Sequence, residues 1–180
     1  MRHPLEAIPS DKRRIVFLPL LAATLVLIIA FGFIGPAQPY NIVDFELAGN
    51  VAKSQAMVDA WSPIDRIHAG FSLGIDYLFM PLYSTTIALA LVWAASKLRA
   101  GPLRSIGLWL AWGLWLAALF DATENVALAV ILFNLSAIDP WPQLAAICAT
   151  IKFGLIAIGL IYLGAALVLQ PINRQPLCTS

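Results

Sequence analysis

Four charged side chains interrupt otherwise apolar stretches of the sequence: Asp76, Asp121, Glu124 and Lys152. A charge at the centre of a bilayer costs roughly 2.5–3.5 kcal/mol on insertion scales, and such groups usually face the interior of a helix bundle and pair with one another. Glu124 and Asn125 follow Asp121 by three and four residues, so all three share one helix face. We therefore predict that the three carboxylates and the lysine meet in one layer of the molecule.

Three carboxylates that face one lysine leave an excess of negative charge. Desolvation and like-charge repulsion disfavour the fully ionised cluster, so we expect at least one carboxyl group to keep its proton near neutral pH. A proton held in this way is available for acid–base catalysis or for proton-coupled binding. Asp76, Asp121 and Glu124 are therefore candidate catalytic acids or bases, and Lys152 is their candidate charge partner.

A row of polar residues leads towards Asp76 along one face of a predicted helix. His68, Ser72 and Asp76 are spaced by four residues, and Tyr77 directly follows Asp76. We predict that His68, Ser72, Tyr77 and Asn125 contribute to binding a ligand. The alternative for His68 is a solvated histidine at the membrane interface.

The same groups also fit two other functions. In a structural role, Lys152 pairs with Asp121 or Glu124, and Asn125 forms a hydrogen bond that fixes the register of the helices. In a proton-coupled transport or channel subunit, the acids form a relay and an oligomer forms the path. The sequence thus leaves open a lipophilic-ligand-binding protein or enzyme, a transport subunit and an assembly protein with a structural ion-pair cluster.

The elements that position these residues follow from the composition. Of 180 residues, 61% are hydrophobic and 12% are charged, whereas soluble domains have roughly 45–50% apolar and about 25% charged residues. A bilayer core of about 30 Å needs roughly 20 apolar residues per helix, and four segments qualify: 15–35, 67–96, 106–135 and 143–169. We predict an all-α membrane protein, a four-transmembrane-helix antiparallel bundle that forms a single domain over residues 1–180.

The loop between the first two spans has a helical pattern of its own. Leu47, Val51, Val58 and Trp61 recur at helical spacing in and just after residues 44–60. Polar positions between them are supplied by Asp44, Glu46, Lys53 and Asp59. We predict an interfacial helix over residues 44–60 in the first extracytoplasmic loop, acting as a packed connector or as a surface for lipids or a partner.

The positive charges near the span ends predict the orientation, because cytoplasmic loops carry an excess of Lys and Arg. One side has eight such residues: Arg2, Lys12, Arg13, Arg14, Lys97, Arg99, Arg104 and Arg174. The other side has two: Lys53 and Arg66. Both termini are therefore predicted to be cytoplasmic.

Neither a metal ion nor a cofactor is predicted. The chain has two histidines and two cysteines, Cys148 and Cys178, which are too few for a multi-histidine metal site or a disulfide framework. A net charge of +1 gives no field that would attract nucleic acid. The predicted partners are membrane lipids, a lipophilic small molecule and a second copy of the chain in a homo-oligomer.

Several stretches carry a family resemblance. They are FELAG at residues 45–49, DYLF at 76–79, YS at 83–84 and DATENVAL at 121–128. Through them, most of the chain resembles an uncharacterised family of bacterial four-helix integral membrane proteins. The resemblance implies a multi-pass protein of the bacterial inner (cytoplasmic) membrane. It implies no substrate or reaction, because the family has no known activity.

Overall fold

The computed structural model describes residues 2–36 and 39–172, and within those ranges the regular elements are all helical. A short 3₁₀ helix (Pro4–Ala7) precedes six α-helices: α1 (Arg13–Ile34), α2 (Ile42–Glu46), α3 (Val51–Ala60), α4 (Pro63–Ser96), α5 (Pro102–Asn134) and α6 (Trp141–Ile172). Four of them, α1, α4, α5 and α6, are long and apolar enough to cross a membrane, which indicates a multi-pass membrane protein. Arg174 and Cys178 lie outside the described residues.

The long helices begin a few residues before the apolar segments that they contain. Helix α4 starts at Pro63 and is capped by Ser62, whose hydroxyl accepts a hydrogen bond from the Asp65 amide at 3.2 Å. In return, the Asp65 carboxylate accepts one from the Ser62 amide at 3.2 Å. With 34 residues, α4 is about 50 Å long at 1.5 Å per residue. It therefore extends past a bilayer core of about 30 Å, and its polar first turn lies before the apolar window.

Helix α1 packs on α4 along its length but remains peripheral. At one end, Arg13 Nη1 donates to Ser96 Oγ at 2.7 Å. At the other end, the rings of Phe31 and Phe79 meet edge to face at 5.3 Å. Only Arg13 and Thr24 of α1 are buried. The helix thus forms a side wall of the molecule and not part of its centre.

The segment before α1 contacts α5 through one buried residue. His3 is buried, and its ring lies 4.9 Å from that of Trp112 and 4.7 Å from that of Trp115 on α5. Burial lowers the pKa of His3 below its ordinary value. The N-terminal residues are therefore anchored on α5, at the end of the bundle where α4 ends and α5 begins.

The centre of the molecule is formed by α4, α5 and α6, with two apolar clusters. One surrounds Trp61 and Phe45 and includes Leu128 and Ile131 of α5. The other lies towards the opposite end of the bundle and includes Leu91, Ala111 and Leu114. Asp76 lies on α4 between residues of the first cluster (Leu73) and of the second (Met80), and Asp121 and Glu124 lie on α5 between Leu114 and Ala127.

A glycine allows the three central helices to approach closely. A Cβ atom at Gly107 of α5 would lie 2.7 Å from Tyr162 Cζ of α6 and 2.9 Å from Ala95 Cβ of α4. Both separations are shorter than van der Waals contact, so any side chain here would force the helices apart.

The region predicted as one interfacial helix over residues 44–60 contains two helices instead. Helix α2 ends at Glu46, and α3 begins at Val51. Between them, Gly49 adopts a positive φ of 70°, a conformation that glycine reaches without steric cost. Asn50 then caps α3 by accepting a hydrogen bond from the Lys53 amide at 2.9 Å. Helical spacing alone did not reveal this break.

These two short helices are packed against the bundle by part of the predicted apolar stripe. Val58 and Trp61 are buried, whereas Leu47 is 48% exposed. The indole of Trp61 donates a hydrogen bond to the Tyr40 carbonyl at 2.8 Å. These contacts are those of a packed connector over one end of the bundle.

Candidate functional site

Lys152 of α6 lies at the centre of a buried ionic cluster. Its Nζ atom lies 2.9 Å from Asp121 Oδ1, and 3.0 and 2.9 Å from the two carboxylate oxygens of Glu124. Glu46 Oε2 is a third anionic neighbour at 3.5 Å. The lysine, Asp121 and Glu124 are all at most 5% exposed. We call these four residues the Lys152 cluster.

Glu46 is the member of the cluster that sequence reasoning missed. The apolar pattern placed it on the polar side of an interfacial helix, but it is buried at the end of α2. Its neighbour Phe45 is buried edge to face against Trp61 at 5.1 Å, which fixes α2 over the cluster. The sequence offered one indication that Glu46 is buried: this acid is flanked by Phe45 and Leu47.

The environment of Glu46 favours its neutral form. Burial raises the pKa of its carboxyl group above the ordinary value, and the nearby Asp121 carboxylate adds to this rise, while the Lys152 ammonium opposes it. The net direction is upward because removal from water penalises the charged form of a carboxyl group.

Asp76 of α4 lies beside the Lys152 cluster without joining it. Its Oδ2 atom accepts a hydrogen bond of 2.8 Å from Asn125 Nδ2, which also donates to the Leu73 carbonyl at 3.2 Å. Among the described side chains, no lysine or arginine nitrogen lies within 4.0 Å of Asp76. Lys152, the predicted charge partner of the acids, thus lies against Asp121 and Glu124 and not against Asp76.

The helix arrangement explains why Asp76 has a different partner from the acids of α5. Asp76 projects from α4 towards Asn125 of α5, whereas Lys152 reaches α5 from α6. Asn125 follows Glu124 in the chain, so α5 joins the two groups. The third carboxylate on Lys152 comes from α2, through Glu46.

A cavity of about 190 Å³ opens between Asp76 and the Lys152 cluster. Its apolar lining includes Phe31 of α1, Ile42 of α2, Phe79 of α4, and Phe153 and Ile156 of α6. Its polar lining includes Glu46, Ser72, Asp76, Asp121, Asn125 and Lys152. One space thus combines an apolar wall with carboxylates from three helices.

Tyr83 also lines this cavity, and the sequence analysis did not select it as a site residue. It is 3% exposed, and its hydroxyl has no hydrogen-bond partner among the described residues. Tyr83 comes seven residues after Asp76, which places both on one face of α4. That spacing was visible in the sequence.

The structure separates the predicted binding residues. Ser72 and Asn125 are buried and line the cavity. Tyr77 is 49% exposed, and its hydroxyl donates to the Ala122 carbonyl at 3.4 Å. His68 is half-buried two turns before Asp76, and the described lining contains neither His68 nor Tyr77. Successive residues of a helix point about 100° apart, so Tyr77 faces away from the cavity that Asp76 lines.

The carboxylates around the cavity are arranged about a lysine. Within residues 2–36 and 39–172, no group of three or more His, Cys, Asp or Glu side chains is arranged to hold a metal. Lys152 occupies the position between the carboxylates where a cation would sit.

Comparison with known proteins adds no functional assignment: no family model, no curated protein and no solved structure matches the chain. The geometry of the cavity and of its charged residues is therefore the basis for inferring a function.

Proposed function

We propose that this protein binds a small lipophilic molecule inside the membrane and holds the polar end of that molecule against buried carboxylates. The observation that carries the proposal is the cavity of about 190 Å³ that joins an aromatic wall to Asp76 and the Lys152 cluster. Pockets for small molecules combine mostly apolar walls with a few converging polar groups. A cluster that only fixed the helices would need the ion pairs but no such space.

We infer an antiparallel bundle in a bacterial inner membrane, with α2 and α3 at its outer interface and both termini cytoplasmic. Contacts support opposite directions for α1 and α4, because Arg13 meets Ser96 and Phe31 meets Phe79. A pair between Arg104 and Glu6 at 3.5 Å lies at the same end as Arg13. The basic residues of the predicted cytoplasmic side thus gather away from α2 and α3.

The cavity size limits what part of the ligand it encloses. A cavity of roughly 150 Å³ is enough for benzene, so about 190 Å³ accommodates a head group with a ring or a few carbons. The rest of a longer molecule extends between Phe31 of the peripheral α1 and Phe153 of α6. Entry is therefore sideways from the lipid, and membrane lipids surround the opening.

Asp76, Asp121 and Glu124 remain the candidate acids and bases for any reaction at this site, with Lys152 as the charge partner. Their surroundings differentiate them. Asp121 and Glu124 are engaged by the lysine ammonium, whereas Asp76 faces the cavity with one oxygen bound only by Asn125. Asp76 is thus the carboxyl group positioned to exchange a proton with a ligand.

A purely structural role is the second candidate, and the three ion pairs of Lys152 favour it. Proton-coupled transport has less support. A relay needs water on both sides of the acids, but the described residues beyond Asp121 on α5 lead into the apolar cluster around Leu91 and Leu114.

The test is to fill the cavity and follow the ligand. Protein purified in mild detergent is extracted with organic solvent, and the extract is analysed by mass spectrometry. Ser72 is buried in the cavity lining, so Ser72→Leu places a side chain in the space. We expect at least a tenfold loss of a retained lipophilic molecule relative to wild type. Gly74→Leu is the matched control, because the position has open space around it.

A second blocking variant allows the test to be completed if Ser72→Leu does not fold. Val43 lines the cavity from α2 and is 42% exposed, so Val43→Trp should fold and should also reduce retention. The proposal fails if no molecule is enriched over empty detergent extracts. It also fails if folded Val43→Trp and Ser72→Leu retain as much of the lipophilic molecule as Gly74→Leu does. Either result favours the structural role.

A further inference from the structure

We propose that the ligand has an ammonium head group, a primary or secondary amine on an apolar body, that binds Asp76 between the aromatic rings of α1 and α4. This inference rests on the proposed function and names its ligand class. It follows from three features of the cavity: an unpaired carboxylate, a free oxygen on that carboxylate and an aromatic wall.

The first feature is the imbalance of charge. In and beside the cavity, the described residues supply four carboxylates, those of Glu46, Asp76, Asp121 and Glu124, and one ammonium group, Lys152. Three of them already lie within 3.5 Å of that ammonium, and Asp76 has no cation of its own among the described residues. Removal from water is costly for an unpaired charge. A ligand that brings a positive charge to Asp76 offsets this cost.

The second feature is a free carboxylate oxygen. Asn125 binds one oxygen of Asp76, while no described residue donates to the other, Oδ1. Oδ1 is not among the fully enclosed atoms without partners, and Asp76 lines the cavity. An N–H donor in the cavity would give this oxygen a hydrogen bond.

The third feature is the aromatic wall beside Asp76. The ring centre of Phe79 lies 5.3 Å from that of Phe31 and 5.0 Å from that of Tyr83. The three rings therefore form a continuous surface. Cations are attracted to ring faces within about 6 Å. The site already contains one such contact, since Lys152 Nζ lies 4.7 Å from the ring centre of Phe153.

The same features disfavour other head groups. A carboxylate or phosphate would be repelled by the surrounding acids, so a phospholipid amine is a poor ligand although it has an ammonium group. An alcohol can accept or donate a hydrogen bond at Asp76, but it leaves the charge unpaired. A quaternary ammonium offers no N–H to Asp76.

The experiment compares two probes that differ only in the head group. Binding of radiolabelled n-dodecylamine and n-dodecanol is measured on the full chain in phosphatidylcholine nanodiscs, with empty nanodiscs subtracted. We expect the amine to bind at least tenfold more tightly than the alcohol. Asp76→Asn should reduce this ratio to less than about twofold, because the neutral amide cannot pair with an ammonium. Asp59→Asn removes an exposed acid of α3 and should leave the ratio unchanged.

Each outcome has a distinct meaning. Equal binding of amine and alcohol by wild type, or an unchanged ratio in Asp76→Asn, overturns the ammonium assignment and leaves the lipophilic site standing. Absence of specific binding by both probes, with no molecule in the solvent extracts, overturns the proposed function itself. Unlabelled lysophosphatidylethanolamine tests whether the amine comes from a phospholipid. If it displaces radiolabelled dodecylamine more strongly than unlabelled dodecylamine does, the assignment of a phosphate-free amine is overturned.

Discussion

Two acidic regions lie side by side in this protein and differ in how their charge is compensated. In the Lys152 cluster, three carboxylates share one ammonium, and Asp121 and Glu124 are almost completely buried. Asp76, by contrast, is half-buried, has an amide as its partner and lines a cavity. The acids of the first region lie against a cation of the protein, whereas the described residues offer Asp76 none.

The comparison shows that structural and binding roles can be divided among neighbouring acids. Asn125 connects the two regions, because it follows Glu124 on α5 and donates to Asp76. The cluster thus fixes the position of Asp76 without neutralising it. If this division is correct, substitutions in the two regions should differ greatly in their effect on stability.

Lys152→Met should have the largest effect. It leaves three carboxylates close together without a cation, and removal of one partner from a buried ion pair costs on the order of 3–5 kcal/mol. We expect a large decrease in the midpoint of thermal unfolding in detergent, or loss of folded protein. Lys53→Met is the control, because Lys53 is exposed on α3. Equal midpoints for the two variants would contradict a stabilising role for the cluster.

Glu46→Gln should have an intermediate effect that appears as a change in pH dependence. Because the pKa of Glu46 is raised on folding, its contribution to stability is complete below the unfolded value of about 4.3 and is lost as the pH rises through the folded value. Wild type should therefore lose more stability than Glu46→Gln between about pH 4 and neutrality. Parallel stability curves measured by thermal unfolding would show that Glu46 does not titrate in this way.

Asp76→Asn should have the smallest effect on stability. No cation loses its partner, and the new amide oxygen can still accept the hydrogen bond from Asn125. We expect the free energy of unfolding to change by less than about 1 kcal/mol, because the neutral hydrogen bond is largely retained. The measurement is chemical or thermal unfolding without added ligand. A loss of stability as large as that of Lys152→Met would show that Asp76 has the same structural role as the Lys152 cluster. The proposed difference between the two acidic regions would then be wrong.

The sequence was sufficient for the spans and for most of the buried charges. The spanning helices follow from long apolar runs, and the convergence of Asp121, Glu124 and Lys152 follows from the cost of charge in a membrane. The position of Glu46 could not be predicted, because it depends on the break at Gly49 and on the burial of Phe45, both of which are tertiary features. That no described cation lies at Asp76 likewise depends on which helix faces which.

The peripheral packing of α1 has a consequence for selectivity. One wall of the cavity is contributed by a helix that buries only two side chains, while the carboxylates come from α2, α4 and α5 and the lysine from α6. If the cavity binds an amphiphile as proposed, the charged end would discriminate among head groups, and the side formed by α1 would tolerate differences in chain length and branching. A protein built this way would sort amphiphiles by their polar ends and accept a broad range of tails.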